Sequence, residues 1–207
     1  MAGMFISFEG GEGSGKTTII ETLIKALEAK GYNVVRTREP GGVPIAEQIR
    51  NVILDVNNTA MCYETEALLY AAARMQHLKE KVLPAIEKGS IVICDRYLDS
   101  SLVYQGFARG IDIENVKNAN YFAMKHLPDV TFFIDVTPEV GLKRILGRNE
   151  ELNRLDKESV DFHQRVYDGY VKLCDMYPER IVRINGEQEK DKVAEDVISA
   201  VLSKLGK

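Results

Sequence analysis

Gly10-Gly11-Glu12-Gly13-Ser14-Gly15-Lys16-Thr17 matches the G-x-x-x-x-G-K-[ST] phosphate-loop pattern at every fixed position. Its flanks suit it. Met4-Phe5-Ile6-Ser7-Phe8 precedes it as a short apolar run, the length of a buried strand. After it, Ile19, Ile20, Leu23, Ile24 and Leu27 recur at helical spacing, and Gly31 supplies a stop. Strand, glycine loop and helix together give the pattern its meaning. Glycines let backbone N–H groups turn inward around an anion, and the helix start adds unpaired donors and a positive dipole end. Gly10, Gly11, Gly13, Ser14 and Gly15 would form the cradle, Lys16 would reach the terminal phosphates, and the Thr17 hydroxyl would ligate Mg²⁺. The plainer alternative is a glycine-rich turn of some other α/β protein.

Working outward, the alternation continues. Strand patterns fall near 33–39, 91–94, 130–136 and 181–184, and helical patterns near 45–54, 64–88, 101–106, 113–125, 139–146, 159–176 and 191–205. Pro84 lies late in the long third helix and is expected to kink or divide it. Five strands alternating with helices predict an α/β fold with a mostly parallel sheet covered on both faces. Its ligands would sit at the loops after the strands. No repeat or linker interrupts the chain, so residues 1–207 read as one domain, with a polar stretch at 147–156.

The totals exclude some functions. A net charge of −4 provides no overall basic field for a nucleic acid polymer. No apolar stretch approaches a membrane span. Cys62, Cys94 and Cys174 have no metal-ligand spacing, and no basic-then-apolar leader opens the chain, which points to reduced thiols in the cytoplasm.

Besides the loop itself, four constellations lie at the predicted strand ends. Asp95 closes an apolar strand, where a carboxylate takes the Mg²⁺ role of a second nucleotide-binding motif or simply caps the strand. Arg96 offers a planar fork for phosphate, and Gln105 offers a donor and an acceptor for a base edge. Ser100, Ser101 and Tyr104 lie in the same stretch. Arg38-Glu39-Pro40-Gly41-Gly42 ends the second strand, with Arg50 on the next helix. Tyr70 and Arg74 share a helix face; singly, they read as core and surface. Arg144, Arg148, Arg154 and Asp156 read either as a solvated surface or as a flap whose closure brings an arginine onto a transferring phosphoryl group. Glu12 is unusual beside phosphates. It either faces solvent or accepts from a sugar hydroxyl or a magnesium-bound water.

Three segments resemble the bacterial thymidylate kinases over nearly the whole chain: Phe8-Glu9-Gly10, Thr37-Arg38-Glu39-Pro40-Gly41-Gly42, and Asp95-Arg96-Tyr97-x-x-Ser100-Ser101-x-x-Tyr104-Gln105-Gly106. The resemblance implies a three-layer P-loop NTPase fold with a short mobile lid at about 147–156. It implies transfer of the γ-phosphoryl of ATP to dTMP in a homodimer. Arg74 and Arg96 would hold the dTMP phosphate, Tyr70 would stack on thymine, and Ser101 and Gln105 would read its edge. Tyr104 would disfavour a 2′-hydroxyl, and Glu39, Pro40 and Arg50 would line the same pocket. The phosphate loop has no basic residue at its variable positions, so the lid would supply that charge. Lys16, Arg96, Arg148, Arg154 and Glu12 are therefore the catalytic candidates, and Thr17 and Asp95 the metal ligands. Two departures are small: Tyr70 replaces the usual Phe, and Val103 the commoner Ala. Two rival readings stay open here: another P-loop nucleoside or nucleoside monophosphate kinase, and a nucleotide-dependent switch. The missing Asn-Lys-x-Asp motif argues against a GTPase switch.

Overall fold

The alternation read from the sequence is present in the expected order. The computed structural model describes residues 3–146, 154–155 and 158–206. It runs β1 (Met4–Glu9), α1 (Lys16–Glu28), β2 (Val34–Arg38), α2 (Pro44–Leu54), α3 (Tyr63–His77), α4 (Leu83–Glu87), β3 (Ile91–Asp95) and α5 (Leu98–Ser101). It continues with α6 (Ile113–Ala119), β4 (Val130–Asp135), α7 (Pro138–Leu146), α8 (Val160–Met176), β5 (Ile181–Asn185) and α9 (Lys190–Lys204). The strands form a five-stranded parallel sheet in the order β2-β3-β1-β4-β5. β1 is central, with Phe8 opposite Asp95 on one side and Phe132 on the other. The chain visits β2 and β3 on one side of β1, then crosses to β4 and β5. That reversal leaves a crevice at the carboxyl ends of the strands, where the phosphate loop leaves β1.

The alternation along β1 divides the core. Met4, Ile6 and Phe8 face α1 and α9 and pack with Ile20, Leu23, Leu27, Val197 and Val201. Leu23 is fully buried, so Leu23→Ala is expected to cost about 2–5 kcal/mol. On the other face Phe5 packs with Val92 and Tyr97, but its same-face neighbours Ser7 and Glu9 are polar and fully buried. Ser7 shares a 2.7 Å hydrogen bond with Thr131. Asp99 accepts two hydrogen bonds from Arg180, at 2.6 and 2.7 Å. Burial is tolerated here because the polar groups have partners.

Two helical patterns are irregular. The predicted helix over 64–88 is divided: α3 passes through wider, π-type turns at Leu78–Val82 into α4, where Pro84 lies in the first turn. Proline has no N–H for the α-helical ladder, and a wider turn before it absorbs the mismatch. The pattern near 101–106 likewise becomes a π-type segment, Leu102–Ala108. It carries Tyr104 and Gln105, and such segments are frequent at functional sites.

Candidate active site

The phosphate loop joins β1 to α1 as the pattern requires. Gly15, with φ of 86°, precedes the helix, and no side chain caps the first turn, so its N–H groups face the loop's concavity. Lys16 is only 8% exposed. Its Nζ donates to Gly10 O, Gly11 O and Ser14 Oγ at 3.1–3.2 Å. Burial first, and then Arg96, pull its pKa from 10.5 down to about 8. The loop is also pinned from outside. A β-carbon on Gly13 would stand 2.1 Å from Gly141 O on α7, and one on Gly141 would stand 2.3 Å from Glu12 O. Loop and helix therefore meet backbone to backbone.

Beside the loop lies a cavity that contains all nine acceptor residues expected from the sequence. Glu39, Pro40 and Arg50 come from the end of β2 and from α2; Tyr70 and Arg74 come from α3; Arg96, Ser101, Tyr104 and Gln105 follow β3. Glu12 closes the loop end, and Leu54, Tyr97, Ser100 and Leu155 complete the lining.

Arg96 stands where loop and cavity meet. Its φ is 68°, in the left-handed region that favours glycine. Such strain, about 1–3 kcal/mol, persists only where the surroundings over-determine it. Here the Arg96 N–H donates to Phe8 O at 2.8 Å, and the next N–H, of Tyr97, donates to Glu9 Oε1 at 2.7 Å. The Arg96 guanidinium donates to Gly10 O at 2.9 Å and to Glu12 Oε1 at 2.6 Å. Tyr104 donates to the same Glu12 oxygen at 3.1 Å. Burial opposes ionisation of Glu12, but Arg96 and Lys16 outweigh it and hold the carboxyl below its ordinary 4.5. Glu12 is therefore neither a free solvent-facing residue nor an idle one.

The expectation that Arg74 sits at the surface is corrected: it is 1% exposed. Nε donates to Glu39 at 2.7 Å, Nη1 to Ser101 at 2.9 Å and Asn120 at 2.6 Å, and Nη2 to Tyr97 O at 3.1 Å. Glu39 is held in turn by His77 Nδ1 at 2.9 Å, whose Nε2 is 2.6 Å from Thr37 Oγ1. Among the described residues, four of the five Arg74 N–H groups are thus committed and one has no partner. Among the described residues, Arg50 makes one side-chain hydrogen bond, to Pro40 O at 3.0 Å, and the rest of its fork has no partner there.

The arginines considered for the lid separate. Arg148 and Asp156 lie outside the described residues. Arg154 does not stand at the phosphate loop. It donates to Ile53 O at 2.9 Å and to Glu66, because a carboxylate buried to 1% exposure demands such partners. Arg144, for which the sequence left solvated surface and flap both open, is exposed and lines a cleft with Gly13, Ser14, Gly15 and Thr18. It donates to Gly186 O at 3.3 Å. On the other side of the loop, Thr17 and Asp95 share a third cleft with Thr37 and Arg38.

Sequence reasoning missed Glu9, Glu66, His77 and Asn120. Glu9 is fully buried and accepts from Ser100 at 2.6 Å and Tyr170 at 2.8 Å as well as from Tyr97 N–H. Burial, then Asp99, push its pKa from 4.5 to about 7. A carboxylate directly before a glycine loop was the available signal for it.

Comparison with known proteins decides the lineage. The thymidylate kinase family model matches residues 8–197. The chain belongs to the thymidylate kinase family. The thymidylate kinase of Clostridium novyi is 56% identical over 197 residues, 94% of this chain and 96% of that one. That of Halalkalibacterium halodurans is 53% identical, over 98% of both. The crystal structure of the Ehrlichia chaffeensis thymidylate kinase superposes with a TM-score of 0.80 at 32% identity, covering 97% of this chain and all of that one. Both the expected family and its P-loop kinase fold are borne out.

Proposed function

We propose that the chain transfers the γ-phosphoryl group of ATP to dTMP, giving dTDP and ADP. Family membership supports this reading, and one observation carries it at the residue level. The nine acceptor residues line a single cavity that ends at Glu12 of the phosphate loop, with Arg96 beside it. Donor and acceptor phosphates would meet at that junction, and alignment is most of what phosphoryl transfer requires.

The hydrogen-bonding groups orient the acceptor. At the inner end, Arg74 has one N–H to donate, the Ser101 hydroxyl donates while its oxygen accepts from Arg74, and Gln105 offers its carbonyl oxygen. Donor and acceptor groups in this mix suit a pyrimidine with two carbonyls and an N–H between them. This moves Arg74 from the acceptor's phosphate to its base, since a guanidinium with one N–H left cannot grip phosphate as a fork. Arg96 and the largely free Arg50 take the phosphate, Tyr70 stacks on the base, and Tyr104 with Glu12 faces the sugar. Lys16 gives up its loop carbonyls for the ATP phosphates. The Arg144 cleft, next to the loop and open to solvent, takes the nucleoside of ATP. Arg148 supplies further charge; Arg154 would do so only by leaving Glu66.

The Thr17 hydroxyl and Asp95 carboxylate share a cleft beside the loop, a donor set that fits Mg²⁺ carried in on phosphate oxygens and water. Among the described residues no three His, Cys, Asp or Glu side chains gather as an all-protein metal cage. The ion would neutralise charge on the transferred group. The acceptor is already an anion, so no strong general base is needed.

The working form is a homodimer in the cytoplasm. Exposed apolar side chains on α2 and α3, Ile45, Val52 and Leu68 among them, favour association, and Cys62, Cys94 and Cys174 are free thiols. No helix among the described residues is long and apolar enough to cross a membrane. Sedimentation or light scattering tests the dimer. A coupled ADP-release assay with dTMP, dUMP, AMP, GMP and CMP tests the function. Turnover concentrated on dTMP is expected; equal or greater turnover with AMP, GMP or CMP would refute the assignment.

A further inference from the structure

Glu66 lies on α3, is 1% exposed and does not line the acceptor cavity. Its Oε1 accepts from Gln105 Nε2 at 3.0 Å. Arg109 Nε donates to the same Oε1 at 3.4 Å, Arg109 Nη2 and Arg154 Nη2 hold Oε2, and Arg109 is itself tied to Glu158 at 2.6 Å. Burial opposes the Glu66 charge, but Gln105, Arg109 and Arg154 outweigh it and hold the carboxyl below its ordinary value. An ionised carboxylate only accepts.

This has a consequence for Gln105, whose amide has a donor end and an acceptor end of nearly the same shape. Free to rotate, it would offer either end to a ligand. Glu66 admits only the NH₂ end. The carbonyl oxygen has no hydrogen-bond partner among the described residues and is not among their buried unpaired atoms, so it opens to the cavity that Gln105 lines.

We propose that Glu66 is a positioning residue that sets base choice by holding the Gln105 amide with its carbonyl oxygen toward the acceptor base. This rests on the assignment of that cavity to the acceptor nucleotide. A pyrimidine that carries a proton on N3 donates to this oxygen. Cytosine presents a lone pair at N3, and two acceptors would face each other. Rejection of this kind comes from unpaired polar groups, and it discriminates far more strongly than a missing methylene does. Glu66 thus acts on specificity without touching the substrate.

The test is the ratio of kcat/KM for dTMP to that for dCMP. Glu66→Gln offers Gln105 both a donor and an acceptor, so the amide can turn; the ratio should fall about tenfold or more, chiefly through a raised dTMP KM. The exchanged pair Glu66→Gln with Gln105→Glu again leaves an acceptor facing the base and should recover most of the ratio. Arg109→Gln weakens the anchor but keeps the carboxylate on the amide, so it should lower thermal stability and leave the ratio within about twofold. A Glu66→Gln ratio unchanged from wild type overturns the proposal, as does an equal fall in Arg109→Gln. Should Glu66→Gln not fold, Glu66→Asp, which withdraws the carboxylate by one methylene, is read the same way. Wild-type protein that does not phosphorylate dTMP would instead refute the assignment of the cavity.

Discussion

Glu9→Gln isolates the effect of burying a carboxylate beneath the loop. The amide can keep the geometry: its oxygen accepts from Tyr97 N–H, and its NH₂ donates to the Ser100 and Tyr170 hydroxyls, which can accept as readily as they donate. What changes is the titration. In the folded protein Glu9 has a pKa of about 7, against an ordinary 4.5. Between those values the folded state holds a proton that the unfolded state has released, so stability falls as pH rises through this window. The penalty is absent below 4.5 and complete above about 7. That difference in pKa corresponds to about 3 kcal/mol. Urea denaturation of both proteins, followed by circular dichroism at about pH 4 and about pH 8, should show the stability of the variant relative to wild type rising by about 3 kcal/mol across the interval. A stability difference that is the same at both pH values would refute the reasoning, because Glu9 would then titrate alike in the folded and unfolded protein.

Lys16→Ala should lower phosphoryl transfer by at least a hundredfold, the scale of removing one charge-stabilising group, while the melting temperature stays close to wild type; near-normal turnover would remove the loop from the mechanism. Because Lys16 titrates at about 8 in the ligand-free protein, ATP affinity measured by calorimetry should weaken as pH rises through that value, and Lys16→Arg should flatten the dependence. Gln105→Ala should weaken dTMP binding by about 1–3 kcal/mol and leave ATP binding unchanged; the reverse pattern would place the acceptor in the wrong cavity. Steady-state kinetics should separate two arginines: Arg144→Ala raises the KM for ATP with kcat nearly unchanged, whereas Arg154→Ala leaves the KM for ATP alone and lowers thermal stability through the orphaned Glu66. An unaltered KM for ATP in Arg144→Ala would take that cleft away from the donor.

What could be read in the sequence was whatever neighbours in the chain decide. Apolar periodicity located the five strands, and the glycine loop with its flanking strand and helix located the crevice. Glu39, Pro40, Arg96, Ser101, Tyr104 and Gln105 were legible as candidates because they follow strand ends, Arg50, Tyr70 and Arg74 stood out on the helices between, and the family resemblance implied an acceptor role for all nine. What escaped depends on partners far apart in the chain. Arg74 looks like a surface residue until Glu39, Ser101 and Asn120 are folded around it. Glu66 looks like one of many helix-surface acids until Gln105, Arg109 and Arg154 converge on it. Arg154 carries the charge the lid reading required, but its buried carboxylate partner lies 88 positions earlier. The π-type turns at 78–82 and 102–108 have ordinary helical composition and follow from how those segments pack, not from local propensity.

The backbone contact between Gly13 and Gly141 limits how this sequence can change over time. Neither position can acquire a side chain alone, because either β-carbon would fall on a carbonyl oxygen of the other segment. Gly13, with φ of 72°, is doubly restricted. Gly141 could enlarge only if the loop had first moved, and a moved loop would no longer fit phosphate. A helix residue 128 positions away in the chain is thus bound to the same evolutionary fate as the loop, although it carries no chemistry of its own. Among sequences that share this architecture, a glycine at the start of α7 should persist as stubbornly as those of the loop itself.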